Sequence, residues 1–378
     1  MKKLEETFRS LLALAGIEIN GKAETDIQVL NPHLYGRVLH NGSLGLGEAY
    51  MAGWWEVDRL DEFFCKILSA SVEEKVRSLR FLPHYLQAWL FNHGKRSKAF
   101  EIGKHHYDVG NMLFSKMLDK RMVYSCAYWK DAQNLDEAQE AKLDLICRKL
   151  KLKPGMKVLD IGCGWGSFCK YASEKYNIES VGITVSKEQA ELAEELCIGL
   201  PVQIRFQDYR SLHATSLSGK EERFDRVVSI GMIEHVGYKN YRTFMKKVNH
   251  LLKDDGLFLL QTIGGNNSAI TTDRWIAKYI FPNSMLPSIR QLASSMEGLF
   301  VMEDWHSFGP YYDRTLMAWY HNFEQAWDEL KTFYEIKFFR MWKYYLLSCA
   351  GSFRARKNQL WQVVLSKNGI PGGYTSIR

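Results

Sequence analysis

No apolar run in the 378 residues approaches the ~18–20 needed to span a bilayer, which argues against a transmembrane helix. The opening stretch MKKLEETFRS is charged and lacks the apolar segment of a secretory leader. Cysteine is sparse and oddly numbered, at seven, and Cys163 and Cys169 lack the close paired spacing of a zinc site. We therefore expect a reducing cytoplasm, free thiols and no structural metal. Internal repeats and low-complexity tracts are also absent, which sets repeat architectures aside. Acid is the scarcer charge: 43 acidic residues stand against 50 basic ones, a net of +7. That balance suits an anionic partner, nucleic acid or a membrane surface, without separating either from an ordinary soluble protein.

What is present is enough apolar material for a sizeable core, 46% of residues, in a chain long enough for one large or two unequal domains. Residues 1–92 read as a smaller, mainly helical N-terminal domain. LEETFRSLLALAGI has helical spacing, and Leu60–Leu68 is amphipathic. The pair Trp54-Trp55 reads as core, with a lipid-facing anchor as the alternative. Residues 93–106 form a basic linker, and 107–378 a catalytic domain.

From Leu135 the pattern becomes regular. LDEAQEAKLDLICRKL is a helix stopped by Pro154-Gly155, and strands then alternate with helices. Strands are expected at 158–162, 180–185, 202–208, 224–231 and 257–264, and helices at 167–176, 187–196 and 240–252. Such alternation implies a doubly wound, mostly parallel α/β sheet. Residues 299–308 and 360–367 look like two more strands, able to form an antiparallel edge, around one long aromatic, basic helix at roughly 315–350.

KVLDIGCGWG, at 157–166, places Gly162, Gly164 and Gly166 between a strand and a helix. Ligands of such sheets bind at the carboxyl ends of the strands, where bare backbone lets them lie close. A nicotinamide fingerprint has its third glycine one residue later, and an acid about 20 residues on for the ribose. Here the second strand ends in GITVSKEQ, and Asp160 precedes the glycines instead. This pattern favours S-adenosylmethionine (SAM) over a dinucleotide.

Several stretches then speak together: HYDVGN, YSCAYW, LDIGCGWGSF, GMIEHVG, YIFPNSMLPS, YYDRTLMAWY and CAGSFRARKNQLWQVV. Nearly end to end, the chain resembles the cyclopropane-fatty-acyl-phospholipid synthases. The resemblance implies a class I SAM-dependent methyltransferase fold, Rossmann-like, with an extra N-terminal domain that engages lipid. It implies transfer of a methylene group from SAM to the cis double bond of an acyl chain in a membrane phospholipid. Ring closure would follow deprotonation by an active-site bicarbonate. The enzyme would be cytoplasmic and visit the inner face of the membrane, its oligomeric state open, a homodimer included.

By the same resemblance, Cys126, Glu234 and Tyr312 surround the bicarbonate, and Ile263 contributes its backbone. Cys349 matches a family cysteine sometimes treated as catalytic, although the residues read as helix packing. His235 reads as structural. Tyr124 and Ser125 would lie near the methionine end of SAM, the loop from Gly162 to Gly166 against its methionyl and ribose parts, Thr184 and Gln189 at the ribose, and Asp208 and Tyr209 at the adenine. Aromatic faces, from Tyr312, Tyr279, Phe281, Trp129 and Tyr128, suit a cationic carbon skeleton, with core packing as the bland reading of each. One position departs from the pattern: family members carry a histidine before Thr-Ile-Gly, where this chain has Gln261. Glutamine donates a hydrogen bond but cannot titrate. The rivals are methylation of another acceptor on the same scaffold, a methyl-branched lipid or an amine; a nucleic-acid methyltransferase, for which no Asn-Pro-Pro-Tyr motif is present; and a non-catalytic lipid-binding protein, against which the complete cofactor loop argues.

Overall fold

The computed structural model describes residues 2–72, 110–214 and 222–378. The basic stretch with Lys95, Arg96, Lys98 and Lys104, and most of HYDVGN, lie outside the described residues. The chain divides into two compact units. One comprises Met1–Phe91, Thr271–Pro282 and Gly309–Gln359, and the other Asn92–Ile270, Asn283–Phe308 and Leu360–Arg378. The division is thus not linear: two later segments group with the N-terminal one.

The first unit is helical apart from a short antiparallel pair, β1 (Gln28–Val29) with β2 (Trp55–Glu56). Trp55 is fully buried, and its indole N–H donates to the Leu46 carbonyl at 3.0 Å. Trp54 is half-buried beneath the Arg37 guanidinium, 4.8 Å from its ring. The pair therefore splits between core and rim. The helix Ile336–Arg354 presses so closely on Leu60–Ser69 that a Cβ at Gly351 would come within 2.5 Å of the Asp61 carbonyl oxygen. Arg354 seals that contact with ion pairs to Asp61, Glu62 and Asp313.

The long helix expected at 315–350 is instead three: Pro310–Gln325, Trp327–Leu330 and Ile336–Arg354. No proline or glycine marks the breaks. The chain folds back so that Phe323 stacks on Phe339, with centroids 5.4 Å apart, and Trp327 packs on Phe339 at 4.8 Å. Aromatic burial overrides an unbroken helical pattern.

The second unit is built on a seven-stranded sheet in the order β5-β4-β3-β6-β7-β9-β8. The strands are β3 (Lys157–Ile161), β4 (Glu179–Thr184), β5 (Val202–Phe206), β6 (Phe224–Ile230), β7 (Leu252–Gly265), β8 (Val301–Ser307) and β9 (Asn358–Ser366). Pairings among β3, β4, β5, β6 and β7 are parallel, and β8 pairs antiparallel with β9 at the edge. Successive strand residues face opposite sides. Accordingly Leu159 and Ile161 join one core with Phe258, Leu260 and the helix Tyr241–Leu251, while Val158 joins another with Leu257, Leu259 and the helices Leu135–Lys149 and Ser167–Tyr176. Burial on both faces is what a parallel sheet requires. All seven expected strands form, and the strand order reverses between β3 and β6.

Candidate active site

That reversal positions the site. β3 ends at Asp160-Ile161, and the glycine turn leads into the helix Ser167–Tyr176. Backbone N–H groups of Gly162 and Cys163 both donate to the Ile183 carbonyl, at 2.9 and 3.0 Å, which locks the turn onto β4. Gly162 has φ of 88° and Gly166 of 77°, values that L side chains rarely adopt. A Cβ at Gly166 would meet the Ala193 Cβ at 3.2 Å, so this glycine seats one helix against another. At Gly164 an added Cβ would find nothing nearer than Gln189 Nε2 at 4.0 Å: this face of the turn is open to a ligand.

A cavity of about 200 Å³ opens at the carboxyl ends of these strands. It is lined by Tyr124, Ser125, Asp160, Gly162, Gly164, Thr184, Gln189, Asp208 and Tyr209. Every residue expected to hold SAM is there except Gly166, which acts from behind. At the far strands the polar groups are already paired. Thr184 Oγ1 donates to Gln189 Oε1 at 2.9 Å, and Arg210 Nε and Nη2 donate to the two Asp208 oxygens at 2.9 and 3.0 Å. The Tyr209 ring packs on Phe244, 5.3 Å between centroids, so it forms a wall continuous with the core. Asp160 differs. It is buried, one oxygen receives only the Cys169 thiol at 3.8 Å, and Oδ1 has no partner. Burial pushes its carboxyl up to about 7. An orphaned acceptor beside an open glycine turn fits a ligand with hydroxyl or ammonium donors, as SAM has.

Glu234 lies in the short helical turn Ile233–His235 after β6. Its Oε1 accepts from the Ile263 backbone N–H at 2.8 Å, while Oε2, also buried, has no partner. Burial pushes this carboxyl up to about 7. Two residues before Ile263 on β7, Gln261 accepts from Gln362 Nε2 at 2.9 Å and leaves its own Nε2 without a partner. Neither Glu234 nor Gln261 lines the cavity, but both adjoin it: His235 follows Glu234, Ile230 pairs with Gln261 across the sheet, and both neighbours line it. Burial lowers His235 to about 4, which leaves a neutral imidazole. Cys126 is fully buried one residue after Ser125, and its thiol contacts the Ala127 carbonyl.

Tyr312 and Cys349 belong to the other unit. Tyr312 is buried on the helix Pro310–Gln325 with its ring 4.6 Å from Phe353, and Cys349 sits in the helix Ile336–Arg354, its thiol pushed up to about 12 by burial. The remaining aromatics pack: Tyr128 on Phe308 at 5.4 Å, Phe281 on Tyr345 at 5.8 Å, and Tyr279 on Trp275 at 5.5 Å. Trp129 is buried. Among the lining residues that sequence reasoning missed are Met232, beneath the glycine turn, and Lys142 on the helix Leu135–Lys149. The signal for Lys142 was available: it falls in the apolar helical phase of Leu135, Ala138 and Ile146.

A doubly wound sheet with a glycine turn and an adjoining cavity at its switch point defines a class I SAM-dependent methyltransferase. Within that class, a family model described as mycolic acid cyclopropane synthetase matches residues 94–363, and the chain belongs to this cyclopropane synthase family. It is 55% identical to the Escherichia coli (strain K12) cyclopropane-fatty-acyl-phospholipid synthase over 96% of its own length and 93% of the relative's. It is 34% identical to a tuberculostearic acid methyltransferase of Mycobacterium tuberculosis, covering 89% of this chain and 81% of that one. Among solved structures, a mycolic acid cyclopropane synthase complexed with SAH and CTAB superposes with a TM-score of 0.65 at 32% identity, covering 71% of this chain and 98% of the other. No helix among the described residues is long and apolar enough to cross a membrane, and none of their acidic, histidine and cysteine side chains cluster as a metal site.

Proposed function

We propose that this enzyme adds a methylene group, drawn from SAM, across the cis double bond of an acyl chain in a membrane phospholipid. When bound, SAM supplies an electrophilic methyl carbon. The observation that carries the reading is the pair of orphaned, buried atoms beside the SAM cavity, the Glu234 Oε2 acceptor and the Gln261 Nε2 donor. One acceptor and one donor of this kind suit a small ion that both donates and accepts hydrogen bonds, as bicarbonate does, and such an ion supplies a base for the proton lost on ring closure. Glu234 would take up that proton at Oε2, since its Oε1 already accepts from the Ile263 N–H. Gln261 fixes position without titrating. Burial excludes water, which would otherwise trap the cationic skeleton. Tyr312, Cys126 and Cys349 enter this scheme on the family resemblance. The N-terminal segment and the basic stretch 93–106 would bring the enzyme to anionic lipid as a peripheral visitor, each charge contributing about 1 kcal/mol near the surface.

The test incubates enzyme and SAM with vesicles of unsaturated phospholipid, and analyses the acyl chains by mass spectrometry and NMR. The expected product gains one CH₂ and loses its vinyl protons, and saturated vesicles are inert. Equal turnover on saturated lipid refutes the reading. A second reading, a methyl branch in place of the ring, is favoured by the likeness to the tuberculostearic acid methyltransferase. The same spectra separate a branch from a ring.

A further inference from the structure

On the helix Leu135–Lys149 the polar side chains of Gln139 and Lys142 lie three residues apart, and both are fully buried. Polar groups at core positions of a helix are costly unless paired. Their partners all lie on one short strip of chain. Gln139 Nε2 donates to the carbonyls of Val123 and Ser125, at 3.2 and 2.8 Å, and Lys142 Nζ donates to Ser125 Oγ at 2.9 Å. This strip, Val123-Tyr124-Ser125, is one wall of the SAM cavity, and Lys142 itself reaches the lining. Asp160, with its orphaned oxygen, lines the same cavity.

Resting on the SAM reading above, we propose that Gln139 and Lys142 are positioning residues for the methyl donor: together they hold the Val123–Ser125 wall, and the Lys142 ammonium keeps the Asp160 carboxylate ionised so that it can receive a donor from the ligand.

The neighbourhood supports this charge pairing. Lys142 is faced by Asp119, Cys126 and Asp160. Asp119 is committed to the backbone N–H groups of Arg121 and Val123, at 3.0 and 2.8 Å, so it braces the start of the same strip. Asp160 is faced by Lys142 and by the thiols of Cys163 and Cys169, which burial pushes well above their ordinary value and so keeps neutral. Burial lowers Lys142 to about 8 and raises Asp160 to about 7. Both are therefore charged together over a narrower pH window than the free side chains would give. Below it Asp160 takes a proton, and above it Lys142 loses one.

The test is calorimetric binding of SAM to the full chain between pH 6 and 9 (roughly the span of the two transitions), with wild type, Lys142→Met, Gln139→Leu and Asp160→Asn. Wild type should bind best near the centre of the window, with affinity falling on both sides. Lys142→Met should bind at least about tenfold more weakly at the wild-type optimum and lose the alkaline limb. Asp160→Asn, which keeps the shape, should lose the acid limb and decides the matter if Lys142→Met does not fold. Gln139→Leu should weaken binding while retaining both limbs. Unchanged affinity and profile in Lys142→Met overturns the proposal, and so does a uniform loss that keeps both limbs, since that marks a purely structural role. Wild type that does not bind SAM refutes the underlying reading instead.

Discussion

The two ends of the catalytic unit's site treat their polar groups differently. At β4 and β5 each group already has a partner: Thr184 has Gln189, and Asp208 has Arg210. At β6 and β7, Glu234 Oε2 and Gln261 Nε2 are buried with none. A group that is paired must exchange one hydrogen bond for another when a ligand arrives, so its net contribution is small. A buried orphan costs stability until something meets it, and the gain on binding is correspondingly large. On the proposed function, this contrast assigns chemistry to the second end and shape to the first.

The contrast predicts its largest effect at Glu234. Glu234→Ala should lower kcat by at least about 100-fold, the scale of a lost acid–base group. Calorimetry should find SAM affinity within a few-fold of wild type. A variant with ordinary turnover would erase the distinction between the ends. The same residue sets a pH dependence. Its carboxyl is raised by burial to about 7, so the ionised acceptor forms only as pH rises through that value. The rate of lipid conversion should climb there in wild type and flatten in Glu234→Gln. The sign for stability is opposite: a raised acid favours the folded state at low pH, and this contribution fades as pH rises from 4.5 through about 7. Denaturant melts across that range should show the loss shrink in Glu234→Gln.

Gln261 comes next. Gln261→Ala should lose roughly 1–3 kcal/mol of transition-state stabilisation, partly rescued by added bicarbonate. Gln261→His should retain substantial activity, because either side chain donates one hydrogen bond. Full activity in the alanine variant, with unchanged bicarbonate dependence, would place Gln261 outside the ion's site. The smallest effect belongs to the paired end. Thr184→Val should weaken SAM binding by only about 0.5–1.5 kcal/mol and leave kcat alone. A larger loss would make the two ends alike.

How much of this the sequence could reveal depends on the range of the force involved. Strands β3 to β7 and the glycine turn were legible because short continuous apolar runs and small residues act locally. The helix break near Leu330 was not, because Phe323 and Phe339 choose each other across the turn. Gln261's pairing with Gln362 spans 101 residues, and no local pattern encodes it. Tyr209 was expected at the adenine by resemblance alone; its ring lines the cavity and is also shared with the core at Phe244, a contact no local pattern encodes.

Gly166 has one more consequence. Because the helix behind it rests on Ala193 and the turn in front is bonded to Ile183, the cradle is assembled as the sheet folds. Its ordering entropy is lost once, during folding, and is not lost again at each encounter. Successive turnovers then exchange a cationic donor for a neutral product across a rigid surface. What distinguishes arrival from departure is one unit of charge on sulfur.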